Sequence, residues 1–183
     1  MPFLYIVRHG EAAATFAQHL DPGLSELGQS QAHRSAELLK NIGPLPILTS
    51  PLARARETAQ PLADLWDITP QIDDRFAEVP SPPSLGLDKR ALWLRQVMNG
   101  KWMDLPDELL GWRNTMIEAA LDFSADHVIF SHFIAINVLV GAALGSTELI
   151  VFRPDNASIT QLSKADNRLV LVAQGSEAQT KIN

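Results

Sequence analysis

The chain contains no cysteine, which excludes disulfides, thiolate metal sites and cysteine nucleophiles together. Positive charge is scarce: 15 Lys and Arg stand against 21 Asp and Glu, a formal net charge of -6. Such a balance gives no general affinity for nucleic acid or for an anionic membrane, so neither is expected as a partner. Long hydrophobic runs are missing too. The longest, Phe133 to Leu144, is too short to span a bilayer and includes Asn137, so it predicts a buried helix. No signal peptide is legible, since only the apolar run Phe3 to Val7 precedes Arg8 and no basic segment leads it. A soluble, cytoplasmic protein is the expectation. No glycine-rich phosphate loop follows any strand, which sets aside a nucleotide-binding module of that kind. No repeat, linker or low-complexity run divides the chain. With 183 residues, 46% apolar and 20% charged, it is expected to form one domain over 1–183 with a sizeable core.

What is present is organised around Phe3-Leu4-Tyr5-Ile6-Val7-Arg8-His9-Gly10-Glu11. The apolar run reads as a buried central strand. Its carboxyl end carries a guanidinium and an imidazole side by side, then a glycine that lets the backbone turn. Ligands of open α/β sheets bind at that end. Arginine there suits a phosphate or carboxylate, and the histidine can serve as nucleophile or proton carrier.

The pattern of strand followed by helix recurs. Ser25 and Glu26 open a helix that Gly43 and Pro44 end. Pro46 to Thr49 reads as a short strand, and Ser50-Pro51 as a helix start with capping hydroxyl and first-turn proline, placing Arg54 about one turn in. Arg56 reads as a solvated residue beside Glu57. Ile68 to Ile72 is a candidate third strand, and residues 73–83 form a proline-rich loop containing Glu78. Two helices are expected between Asp88 and Phe123, with Trp112 in the core and Trp93 and Trp102 facing a core or lining a pocket. His127 to Ser131 is a strand ending at His132, the same arrangement as at His9. Asn156-Ala157-Ser158-Ile159 enters a strand that Leu169 to Ala173 pairs with across Asp166-Asn167, and Ser176 to Asn183 are expected to fray.

These motifs together resemble the histidine phosphatase superfamily, the phosphoglycerate mutase-like proteins. The resemblance rests on Arg8-His9-Gly10-Glu11, Asp21-x-x-Leu24-Ser25-x-x-Gly28, Ser50-x-Leu52-x-Arg54-Ala55, His132 after its strand, and Asn156-x-Ser158-Ile159. It implies an α/β three-layer sandwich, a mostly parallel central sheet with helices on both faces, and a helical insert over 79–126 near the active site. It also implies a metal-independent phosphatase acting on a small phosphorylated substrate, with no cofactor. His9 is the implied nucleophile, His132 the second catalytic histidine and a phosphate ligand, Arg8 and Arg54 the phosphate-binding arginines, and Glu78 the proton donor. A His9/His132/Glu78 metal site is a poor alternative, because two flanking arginines would repel a divalent cation.

Two departures from the family pattern bear on function. Phe133 stands where glycine usually follows the second histidine, which would narrow or reshape the cleft while leaving backbone N–H groups open to an anion. The surroundings of Glu78 lack the usual glycine and second glutamate. These departures leave open a low-turnover phospho-ligand binding or relay protein, and within the same chemistry a phosphoglycerate mutase-type phosphotransferase is the nearer competitor to the phosphatase reading. The short chain, and Ala12 and Thr15 after the signature, favour hydrolysis.

Overall fold

The structure is a computed structural model that describes residues 1–15 and 18–178. The apolar run forms β1 (Phe3–Arg8), and α1 (Glu26–Leu39) follows, its Ser25 hydroxyl accepting from Gly28 N at 3.0 Å. Next come β2 (Ile47–Thr49), α2 (Ala53–Trp66), β3 (Gln71–Ile72) and a short 3-10 turn over Asp74–Phe76. Then α3 (Leu87–Met98) and α4 (Asp107–Asp122) lead to β4 (His127–Ser131) and α5 (Phe133–Leu144). The hairpin β5 (Ile159–Ala165) and β6 (Arg168–Ala173) completes the sheet, turning through Asp166 and Asn167, both at positive φ.

The six strands lie in the order β3-β2-β4-β1-β5-β6. The first three pairings are parallel and the last two antiparallel. Alternation along each strand sends side chains to opposite faces. Leu4, Ile6, Leu48 and Ile129 meet α4 and α5 on one face, while Val7, Ile47, Val128 and Phe130 meet α1 and α2 on the other. This is the expected α/β arrangement with helices on both faces. As expected for its composition, α5 is buried from Phe133 through Gly141. Its one amide is matched: Asn137 Nδ2 donates to Phe133 O, and Oδ1 accepts from Val151 N and Phe152 N.

Several local expectations are corrected. The helix after β2 begins at Ala53 rather than at Pro51, because Pro51 and Leu52 form a bend closed by Leu52 N donating to Ser50 Oγ. The third strand is only Gln71–Ile72, an exposed edge in which Pro70 supplies no ladder donor. Of the two readings left open for Trp93 and Trp102, the core one holds, since neither borders the main cavity and both pack into or against the core cluster. Trp102 is buried against Trp112 with the Arg113 guanidinium 5.2 Å from its ring centroid. Ser176 to Ala178 are not frayed but tied to the loop before β5: Asp155 N donates to Ser176 O and Ala178 N to Arg153 O. The rest of the expected fray, residues 179–183, lies outside the described residues.

Candidate active site

Sheet register alone brings the two histidines together. β1 and β4 are parallel neighbours with Arg8 opposite Ser131, so the next residues, His9 and His132, leave the same edge of the sheet side by side. Their ring centroids are 5.1 Å apart. Beside them β2 ends opposite Phe130 of β4 and delivers Ser50 and, two residues into α2, Arg54. Beyond β2, Asp73 N donates to Thr49 O and the 3-10 turn buries Phe76, whose carbonyl accepts from Ser131 Oγ at 2.7 Å. That anchor carries the chain back to the same edge at Glu78.

His9 is oriented by its own loop. Its Nδ1 lies 2.7 Å from Gly10 O, and because a carbonyl only accepts, the proton sits on Nδ1 and the lone pair on Nε2. Arg54 Nε donates to that Nε2 at 3.2 Å. Burial first, then the charges of Arg54 and Arg8, push the His9 pKa well below its ordinary value, so the ring is neutral. The backbone behind it is crowded. A Cβ on Gly10 would meet Gly28 O at 2.5 Å, so this turn accepts no side chain. Thr58 Oγ1 accepts from Gly10 N, and Asn156 Nδ2 donates to His9 O. Thr58 and Asn156 both fall within motifs legible in the sequence, but nothing local to either gives it a role beside His9.

Arg8 is partly buried, donates to Pro154 O at 2.8 Å, and has its pKa lowered to about 10, mainly by burial. It remains a cation at neutral pH. Its guanidinium carbon lies 5.1 Å from the centroid of the Phe133 ring, a cation–π distance. The residue that replaces the family's glycine therefore forms the floor under one arginine. Arg54 is buried, with Asp21 Oδ1 at 3.9 Å from its NH1, and the same Asp21 oxygen accepts from Ala53 N. Arg56 is exposed, as expected.

Glu78 overturns one expectation. Two of the N–H groups opening α5 are already taken by its carboxylate and are not open to an anion. Ile134 N donates to Glu78 Oε2 at 3.1 Å and Ala135 N to Oε1 at 3.2 Å, and Val79 N also donates to Oε1. A carboxylate fits that positive helix end. Burial nevertheless raises the Glu78 pKa, against the lowering effect of these hydrogen bonds and of Arg54.

His132 is wholly buried behind His9, with Nε2 2.7 Å from Ser50 Oγ and, among the described residues, no hydrogen-bond partner at Nδ1. Its pKa is pushed well below the ordinary value by burial, then by His9, Arg54 and Arg8. Ser50, expected as a helix cap, is thus the partner of the second histidine.

Arg8, His9, Arg54 and Glu78 border one cavity of about 720 Å³, and His132 lies behind it. A smaller cavity of about 370 Å³, between Pro44–Ile47 and Ile68–Gln71, carries no titratable side chain. Among the described residues, no cluster of three His, Cys, Asp or Glu is arranged to hold a metal, and no helix is long and apolar enough to cross a membrane.

A parallel-sheet edge at which two arginines converge on a neutral imidazole defines an oxyanion-binding α/β protein. The chain belongs to the histidine phosphatase superfamily (branch 1), whose family model matches residues 4–176. Among curated relatives, "Probable phosphoglycerate mutase GpmB" of Yersinia pestis is 29% identical, with 78% of this chain and 74% of that protein covered. Among solved structures, a mycobacterial glucosyl-3-phosphoglycerate phosphatase in complex with VO3 superposes with a TM-score of 0.76 at 26% identity, covering 97% of this chain and 100% of that one. Entamoeba histolytica phosphoserine phosphatase, with 3-phosphoglyceric acid, has a TM-score of 0.76 at 22% identity and 98% coverage of both chains, a likeness of fold alone.

Proposed function

We propose that the protein is a phosphatase that hydrolyses small phosphate monoesters through a phosphohistidine on His9. The observation that carries this reading is the pair of contacts on the His9 ring, Nδ1 to Gly10 O and Nε2 to Arg54 Nε, which leave an Nε2 lone pair beside a buried guanidinium. A phosphate monoester is dianionic, so attack on it must overcome charge repulsion. Two guanidiniums can absorb the charge that gathers on the equatorial oxygens as the transition state forms. In the first step Nε2 bonds to phosphorus, the P–O bond to the alcohol breaks, and Glu78 in its acid form gives its proton to the departing oxygen. In the second, water attacks phosphorus, the P–N bond breaks, and the Glu78 carboxylate takes the water's proton. Inorganic phosphate leaves and both residues return to their starting states. The raised Glu78 pKa suits this exchange. His132, whose Nδ1 has no hydrogen-bond partner among the described residues, is given the role of donating to a phosphoryl oxygen once the dianion is bound.

This reading takes residues 1–183 as one domain, with 79–126 as the insert that supplies a wall of the cavity through α3. Small phosphorylated substrates fit a cytoplasmic location. The mutase reading keeps one specific support, the name of the Yersinia relative.

The test is phosphate release from an aryl phosphate by the wild-type protein and by His9→Ala. Steady turnover that His9→Ala abolishes, with an acid-labile phosphoryl group trapped on the wild-type protein, supports the reading. Stoichiometric labelling without turnover would make this a binding or relay protein, and interconversion of phosphoglycerate isomers primed by a bisphosphorylated glycerate would make it a mutase.

A further inference from the structure

The cavity has two unlike halves. One is the charged end already described. The other is walled by a single stripe of α3, Ala91, Leu94, Arg95 and Met98, at the i, i+3, i+4, i+7 spacing that puts residues on one helix face. Phe133 and Ile134 at the start of α5 continue this wall, and Ala12, Ala14 and Pro22 also border the cavity. Leu94 and Met98 pack onto the core cluster from their other side, so the wall is backed by protein rather than by solvent.

Its polar inventory is small. Apart from Arg8, Arg54, His9 and Glu78, the polar residues bordering the cavity among those described are Glu11, Thr15, Arg95 and Asn156. Asn156 Nδ2 already donates to His9 O, and Glu11 Oε1 accepts from Ser25 Oγ. A sugar laid against such a wall would give up water from its hydroxyls and find few partners. A second phosphate or a carboxylate would find Arg95 on this wall, with Glu11 bordering the same cavity and Arg90 off the lining but near enough to act on the Arg54 charge. An alkyl or aryl group loses nothing and gains buried area.

Resting on the phosphatase reading above, we propose that the substrates of this site are phosphate monoesters of apolar alcohols, whose alkyl or aryl body lies on the Leu94, Met98 and Phe133 wall. The bond broken is the same P–O bond, and the alcohol leaves with the proton from Glu78.

The test compares kcat/KM of the wild-type protein for methyl, butyl and hexyl phosphate with that for glucose 6-phosphate and 3-phosphoglycerate. Burial of methylenes predicts a rise of about fourfold per methylene over the first few, and hexyl phosphate above both polar substrates. Leu94→Gln and Met98→Gln should flatten the dependence on chain length, while Arg95→Ala should leave its slope in place. A flat series in the wild type, or a tenfold preference for the sugar or glycerate ester, overturns the proposal. If no ester is turned over, the phosphatase reading is what fails. Calorimetric affinities for methylphosphonate and hexylphosphonate then decide the apolar reading separately, equal affinities sinking it.

Discussion

Arg54 Nε donates to His9 Nε2 across 3.2 Å, so the cation proposed to receive a phosphoryl oxygen and the nitrogen proposed to attack phosphorus are hydrogen-bonded to each other. The contact has two consequences. It fixes the imidazole plane with its lone pair toward the guanidinium, and the nearby charge disfavours protonation of the ring. An incoming phosphate would replace the nitrogen as acceptor at Arg54 and release the lone pair next to phosphorus.

Replacing Glu78 tests the acid. Glu78→Gln should lower kcat by roughly 10²–10⁴-fold, the usual range for a positioned general acid, and more with an alkyl ester than with an activated aryl ester. Because the acid form is the active one, kcat/KM of the wild type should fall as pH rises through the raised Glu78 pKa. A pH–rate profile of Glu78→Gln that kept this alkaline limb would remove Glu78 from the mechanism.

Stability should respond to the buried imidazoles. His9 and His132 have folded-state pKa values below their unfolded ones, so the unfolded chain takes up their protons first as pH drops. Their contribution is fully present above about pH 6.5 and is lost as pH falls toward the depressed values. Glu78, raised by burial, acts in the opposite sense: its contribution is present below the unfolded carboxyl pKa and is lost as pH rises through the folded one. The drop in Tm from pH 7 to pH 5 should therefore be smaller in His132→Asn than in the wild type. An equal drop in both would show that His132 is not held neutral.

Two glycines give opposite expectations. A methyl on Gly10 would collide with the Gly28 carbonyl at 2.5 Å, and overpacking of this kind costs about 1–3 kcal/mol. Gly10→Ala should lower Tm by several degrees and reduce activity, since the same turn holds His9. A methyl on Gly111, within α4, meets nothing within 4 Å. Gly111→Ala should stabilise by roughly 0.5–1 kcal/mol through helix propensity. Thermal melts of the two variants check both signs.

Ser50 is expected to act through His132. Ser50→Ala removes the hydrogen bond between Ser50 Oγ and that ring, leaving a buried polar group unmatched at a cost of about 1–3 kcal/mol. A misplaced ring should lower kcat, by up to roughly 10²-fold, with KM little changed. A rise in KM at constant kcat would instead assign Ser50 to substrate binding.

Much of this architecture was legible along the chain. The run Phe3 to Val7, the buried helix from Phe133 and the hairpin across Asp166-Asn167 each follow from the chemistry of adjacent residues, and all three form as expected. Arg8-His9-Gly10 at a strand end marked the candidate oxyanion site for the same reason. Ser50 misled because a serine before a proline satisfies the rules of a helix start equally well, and only the neighbouring strand shows that its hydroxyl faces His132 instead. Trp93 and Trp102 could be read as wall or core, because helical spacing identifies a shared face without saying what lies against it.

Sequence by itself determined the central strand, the closing hairpin, the buried α5 and the identity of the charged groups at the sheet edge, since those depend on neighbours one to four positions apart. Tertiary structure alone decided that Glu78, 56 residues before Ile134, occupies the head of α5, that Phe133 lies under Arg8, and that one stripe of α3 walls the cavity. Such contacts depend on strand order and on where a proline-rich loop without periodicity comes to rest, and nothing local in the chain encodes either.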